Sequence, residues 1–315
     1  RIDFNQENGN IQVFARKDVV EEETDSRLEI ALSKAQEMDP NYEIGDVVEI
    51  EVTPKDFGRI AAQTAKQVVT QRVREAERGI VYSEFIDREE DIMTGIVQRH
   101  DHRFTYVNLG RIEALLPANE QMPNETYNQN DRIKVYITKV EKTTKGPQVM
   151  VSRTHPGLLK RLFELEVPEI YDGTVEIKSI AREAGDRSKI AVYAENPEID
   201  AVGSCVGQKG QRVQAIVDEL KGEKIDIVHW SEDPVEYVAN ALSPSKVLYV
   251  DVNEEEKMTT VVVPDYQLSL AIGKRGQNAR LAAKLTGWKI DIKSESDATE
   301  FGLYNPKDDE SEESP

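Results

Sequence analysis

Sulfur is scarce in this chain, whose 315 residues include a single cysteine, Cys205. A lone thiol excludes an internal disulfide framework and suits a reducing compartment, so a cytoplasmic protein is expected. Long apolar runs are also missing. No stretch approaches the roughly 18 residues that a membrane span needs, and no secretory signal opens the sequence. Positive charge is in deficit, with 40 Lys and Arg against 59 Asp and Glu and a formal net charge of −19. That deficit argues at first against nucleic acid, whose phosphates reward cations.

The distribution of charge outweighs its sum. Residues 1–92 carry 22 acids against 12 bases, whereas residues 94–163 carry 11 bases against 6 acids. The last stretch, 295–315, has 8 acids and one base. Acid sits at the ends and base in the middle. The length suits roughly two to four domains. Arg1 enters a strand-like hairpin directly, so the chain is expected to be a fragment that has lost an N-terminal piece.

Pattern changes divide the chain. Residues 1–53 mix a hairpin ("DFNQENGNIQVFA", turning at Asn8-Gly9 or Asn10), a helical stretch from Leu28 to Met38 and a strand "DVVEIEV". From Gly58, Ala61, Ala65, Val68, Val69, Val73, Ala76 and Ile80 recur at helical spacing. This amphipathic helix, ending before "DREED" at 87–91, is expected either to cover its own sheet or to present a face to a partner, with the first the commoner use. Residues 92–153 alternate as five short strands, which predicts a small closed barrel of the OB kind. In "RFTYVNL" the period of two puts Val107 and Leu109 on the core face and Phe104 and Tyr106 outside, beside Arg103. Exposed aromatics among cations suit a single-strand binder; aromatics that simply cover a barrel end are the plainer alternative. A bridge follows, with Thr154 as its helix N-cap, Pro156 in the first turn, and Leu158, Leu159, Leu162 and Phe163 as an apolar stripe.

The most informative feature is a repeat. "VGQKGQRVQAI" runs on to "GEKIDI", and "IGKRGQNARLA" runs on to "GWKIDI". The glycine pairs lie 66 positions apart and the Lys-Ile-Asp-Ile strings 65. Each unit reads as helix, loop, helix and strand. Gly207 and Gly210, and again Gly273 and Gly276, permit backbone angles closed to other residues and a close approach to a ligand. The helix that follows opens with unpaired N–H groups and a positive dipole end. Gln208, Lys209, Gln211 and Arg212 in the first copy, and Lys274, Arg275, Gln277 and Arg280 in the second, would then meet phosphates. A P-loop is excluded, because neither copy carries Gly-Lys-Ser/Thr after four intervening residues.

The order helix–strand–strand–helix–GxxG–helix–strand resembles the KH domain in its bacterial-type topology, whose loop holds about four nucleotides of single-stranded RNA. The five-strand segment resembles the OB-fold domain first described in ribosomal protein S-one. Barrel, bridge ("SRTHPGLLKRLFELEVPEIYDG") and tandem KH units together resemble the NusA family of bacterial transcription factors over residues 1–302. The resemblance implies an α+β multidomain chain: a mixed α/β domain at 1–90, an OB-fold barrel at 91–153, KH domains at 154–231 and 232–302, and an acidic disordered tail at 303–315. It implies contact with core RNA polymerase and nascent single-stranded RNA, roles in pausing, termination and antitermination, and a place beside other Nus-type factors. Family members carry a helical segment before their first strand, so the piece expected to be lost ahead of Arg1 is that helix, and the short acidic tail is expected to leave no room for the acidic repeats that some of them append.

No cofactor, metal or catalytic residue is expected. His100 and His102 lack a third ligand at sensible spacing, Cys205 reads as a packing thiol, and the acids of residues 1–92 lie on solvated runs such as "EEETD". A monomer with no membrane contact is expected. An accessory RNA-binding subunit in RNA processing or ribosome assembly remains the alternative reading.

Overall fold

The computed structural model describes residues 1–4, 11–53 and 57–305. The expected hairpin turn at Asn8-Gly9 or Asn10 and the tail from residue 306 onward lie outside these residues. The chain divides into two compact units, Arg1–Arg78 and Gly79–Pro315.

In the first unit, β1 (Ile2–Phe4) pairs antiparallel with β2 (Ile11–Val20). Strand β2 also pairs in parallel with β3 (Glu29–Ala31) and antiparallel with β4 (Val47–Glu51). Helix α1 (Leu32–Met38) completes a small core of Val19, Ile30, Ala35 and Val48. The helix expected from Leu28 therefore starts four residues later. Glu29–Ala31 gains ladder bonds along Asp18–Val20 and buries Ile30, which outweighs its helical pattern. Helix α2 (Phe57–Ile86) is as long as its periodicity predicts. Its stripe does not cover the sheet: Val68, Val69 and Val73 are each more than half exposed.

The second unit opens with the end of α2. Val81, Tyr82, Phe85 and Ile86 pack on the core of a closed barrel, with Phe85 fully buried. The strands β5 (Ile92–His100), β6 (Phe104–Asn108), β7 (Glu113–Pro117), β8 (Arg132–Thr143) and β9 (Gly146–Ser152) close in the order β5-β6-β7-β9-β8. Five strands close because alternate residues, among them Val97, Val107, Leu116, Val135, Ile137 and Val149, all point inward and are fully buried.

Helix α3 (Pro156–Glu166) buries Leu158, Leu159, Leu162 and Phe163, as its spacing predicts. Its cap is His155, whose Nδ1 accepts from the Gly157 N–H at 3.0 Å. Thr154, the expected cap, instead donates its hydroxyl to Glu120 at 2.8 Å. After α4 (Pro168–Tyr171) comes the first repeat: β10 (Glu176–Glu183), β11 (Arg187–Tyr193), α5 (Ala201–Val206), α6 (Gln211–Glu219) and β12 (Lys224–His229). The second repeat has α7 (Pro234–Ala241), β13 (Tyr249–Asn253), β14 (Met258–Val263), α8 (Leu268–Ile272), α9 (Gln277–Thr286) and β15 (Lys289–Ser294). In both sheets the central strand is antiparallel to its predecessor and parallel to its successor. Helix α10 (Glu295–Glu300) follows.

Barrel and repeats share cores in series. Met122 and Tyr136 of the barrel join α3 and the first repeat's Ile190, Val192, Cys205, Ile216 and Leu220 in one cluster. Ala181, Ala191 and Val228 on the other side of that repeat's sheet join the second repeat's Tyr237, Val261, Ala271, Leu281 and Leu285. Buried ion pairs reinforce the barrel side of the first repeat. Arg153, 1% exposed, meets Glu125 with two nitrogens and reaches Glu219 and the Lys134 carbonyl, tying barrel to first repeat. Arg182 and Glu223 form a second, fully buried pair, with both guanidinium-to-carboxylate bonds at 2.9 Å.

Candidate nucleic-acid interface

The two glycine loops adopt the same backbone. Gly207, Lys209 and Gly210 have φ of 74°, 52° and 75°, and Gly273, Arg275 and Gly276 have 77°, 56° and 72°. All six lie in the left-handed half of conformational space. Within each pair the glycines serve different ends. A Cβ on Gly207 would lie 2.8 Å from the Arg212 side chain, and one on Gly273 would lie 2.8 Å from the Asn278 backbone nitrogen. Gly276 faces open space and Gly210 has only a 4.0 Å neighbour, so these two are required by their φ alone. Each loop delivers the chain into a helix, α6 or α9, through a tight turn in which the Gly210 and Gln211 N–H groups donate to the Gly207 and Gln208 carbonyls, and those of Gly276 and Gln277 to the Gly273 and Lys274 carbonyls. The positive end of each helix dipole lies at this turn.

The cations divide into free and bound. Lys209, Lys274 and Arg275 are exposed, and none forms an ion pair among the described residues. Gln208 and Gln211 are also exposed at the first loop, where they line a cavity of about 560 Å³ with Asp200, Ser204 and Arg212. Arg212 turns inward, donating to Glu169 at 2.9 Å and to the Ser204 carbonyl at 2.6 Å. Gln277 donates to Glu183 and Asp186 of the first repeat, at 2.9 and 2.7 Å. Arg280 makes a two-pronged contact with Glu183, at 2.6 and 3.1 Å, and also reaches the Arg275 carbonyl at 3.2 Å. Three of the expected phosphate contacts thus hold the loops in place from behind.

The Arg280 guanidinium, by hydrogen bonding, outweighs partial burial and holds the Glu183 carboxyl below the usual carboxylate range. A depressed folded-state pKa contributes stability above the unfolded value near 4.3 that is lost as pH falls through the folded one. Thermal melts at neutral and strongly acid pH should therefore show a smaller acid-induced drop for Glu183→Gln than for the parent chain.

On the barrel, Phe104 and Tyr106 lie half-buried on the outer face of β6, with ring centroids 6.5 Å apart, edge to face. Thr105 and Val107 between and beyond them are buried, so the alternation is as expected. Arg99, near these aromatics in sequence, stacks its guanidinium 3.6 Å from the Tyr106 ring centroid. Cross-strand pairing of Arg99 with Tyr106 across the β5–β6 hairpin brings the two together. Asp101 fixes the turn by accepting from the backbone N–H groups of Arg103 and Phe104 and from the Tyr106 hydroxyl, and these bonds hold its carboxyl below the usual range. Arg103 itself is exposed beside this platform. Phe104→Ala should weaken binding of a single-stranded oligoribonucleotide about tenfold with little change in thermal midpoint. A stability loss of several kcal/mol would instead make Phe104 a core residue. Cys205 lies fully buried, and burial pushes its thiol up to about 12, far from nucleophilic use.

A closed OB barrel in series with two glycine-loop modules of KH topology defines a multi-module RNA-binding architecture. Comparison with known families agrees along the chain. The description "NusA N-terminal domain" matches residues 1–79, "S1 RNA binding domain" 86–152, "NusA-like first KH domain" 153–230 and "NusA-like second KH domain" 234–300. The chain is 82% identical over 303 residues to the transcription termination/antitermination protein NusA of Halalkalibacterium halodurans, covering 96% of this chain and 79% of that one. It is 79% identical over 315 residues to NusA of Bacillus subtilis, covering all of this chain and 85% of that one. A solution structure of the N-terminal domain of NusA from B. subtilis matches 25% of this chain and 63% of its own at 74% identity and a TM-score of 0.22. The chain belongs to the NusA family of transcription termination/antitermination proteins. Among the described residues no helix is long and apolar enough to cross a membrane.

Proposed function

We propose that this chain holds nascent single-stranded RNA on the barrel and both KH modules while its N-terminal unit contacts core RNA polymerase, and so modulates pausing, termination and antitermination. One observation carries the reading: two loops 66 residues apart share one left-handed backbone, and each brings a helix start and exposed cations to the surface. Phosphates bind such helix starts, and the charges of Lys209, Lys274 and Arg275 add to the attraction. Bases would rest on Phe104 and Tyr106 and against the aliphatic faces beside each loop. The exposed Val68, Val69 and Val73 on α2 offer a face suited to a protein partner.

In this reading the chain is a cytoplasmic, monomeric binding factor with no catalytic residue and no cofactor, working with polymerase and with other Nus-type factors. Adding it to a transcribing polymerase should lengthen pauses and shift termination efficiency, and a labelled single-stranded RNA should bind and stay intact in Mg²⁺. RNA cleavage that tracks with mutation of this chain, or an unaltered pause pattern, would overturn the reading.

A further inference from the structure

The two KH modules share a backbone but not a surface. Aligning the loops pairs Cys205 with Ala271, both fully buried, which fixes the register of the helices that lead into them. In that register the first module carries Asp200 and Ser204 where the second carries Tyr266 and Leu270. The first is a polar wall; the second is aromatic and apolar. Tyr266 is 81% exposed, and Leu270, one helical turn on, is 46% exposed. Beyond them lie the free cations Lys274 and Arg275.

An exposed tyrosine by itself is ordinary. What distinguishes Tyr266 is how firmly its neighbours are fixed. Asp265 on one side accepts from the backbone N–H of Ser296 at 3.0 Å and from its hydroxyl, which ties the turn to the start of α10. Gln267 on the other side accepts from the Lys246 N–H at 2.6 Å and donates through Nε2 to the Tyr266 hydroxyl at 3.4 Å. The ring thus stands out from a turn secured at both ends, which lowers the ordering cost of a contact made there.

We propose that Tyr266 is a base-stacking residue of the second module, taking a nucleobase of the RNA strand whose phosphates lie on Lys274 and Arg275. The inference rests on the RNA-binding reading above. Stacking on an aromatic is sequence-tolerant, because every base has a π-face, and Leu270 extends the apolar bed. The second module then supplies affinity of a kind that the first, with a carboxylate at the matching place, does not.

The test is an affinity series with a short unstructured oligoribonucleotide and versions of it with each base in turn removed to leave an abasic site. Tyr266→Ala should bind the intact strand about tenfold more weakly, with the salt dependence of binding unchanged because no charge is lost. Tyr266→Phe should bind like the parent, and the thermal midpoints of all three should agree. One abasic position should weaken the parent about tenfold yet cost Tyr266→Ala almost nothing, since the partner ring is already gone. Parent-like binding by Tyr266→Ala, abasic penalties that persist unchanged in it, or a Tyr266→Phe as weak as Tyr266→Ala would overturn the assignment. Failure of the parent chain to bind the intact strand would instead remove the RNA-binding reading beneath it.

Discussion

Replacing Gly210 and Gly276 together by aspartate should cut affinity for single-stranded RNA by at least about a hundredfold while lowering stability by no more than the roughly 2–4 kcal/mol that two left-handed positions impose. Each carboxylate would stand where a phosphate is expected, and like charges ~4 Å apart repel by about 1 kcal/mol in bulk water and about 4 kcal/mol at a protein surface. The fold should tolerate the change, because a Cβ on Gly276 meets nothing within 4 Å and one on Gly210 only a valine methyl at 4.0 Å. Left-handed φ costs a residue with a Cβ roughly 1–2 kcal/mol, and aspartate is among the side chains that bear it best. The choice of the second glycine is deliberate, since Gly273 packs against the Asn278 backbone and its substitution would confuse folding with binding. Equal loss of midpoint and affinity would show that the glycines serve structure only.

The second large effect is on stability. Arg153→Met should destabilise the second unit by roughly 3–5 kcal/mol, because it leaves Glu125, only 4% exposed, charged and unpaired at the junction of barrel and first KH module. For a unit of this size that is a fall on the order of 10 °C in midpoint. Glu219 keeps a partner in Lys134 at 3.0 Å, so the orphaned charge is Glu125. Arg153→Met combined with Glu125→Leu should recover most of the loss, since removing both members of a buried pair is often neutral. A single variant as stable as the parent would mean that water reaches the pair and that the junction is held by its apolar cluster alone.

Local pattern made much of this protein legible. The duplicated loops, the five barrel strands and the split of Phe104 and Tyr106 from Thr105 and Val107 all follow from spacings of two, three or four residues. The glycine loops were readable because a left-handed turn needs glycine in a fixed place. What escaped was set by distant partners. Arg212, Gln277 and Arg280 carry the composition of phosphate contacts, but their carboxylate partners, Glu169, Glu183 and Asp186, lie 43 to 97 positions away. No window of sequence shows such a pair. Glu29–Ala31 failed for the same reason, as a neighbouring strand captured a stretch with helical periodicity. The long helix α2 shows the reverse case. Its stripe was readable, yet only the fold reveals that Val68, Val69 and Val73 are left uncovered by its own sheet.

The central claim is that both glycine loops take RNA. Titrating the isotopically labelled chain with a short single-stranded oligoribonucleotide at modest salt, and following backbone amide resonances, tests it most directly. The account predicts saturable shifts at residues 207–212 and 273–278, with Tyr266 and the Phe104–Tyr106 strand moving alongside. Resonances of both loops that stay fixed while the strand binds elsewhere, or a chain whose spectrum does not change at all, would contradict it.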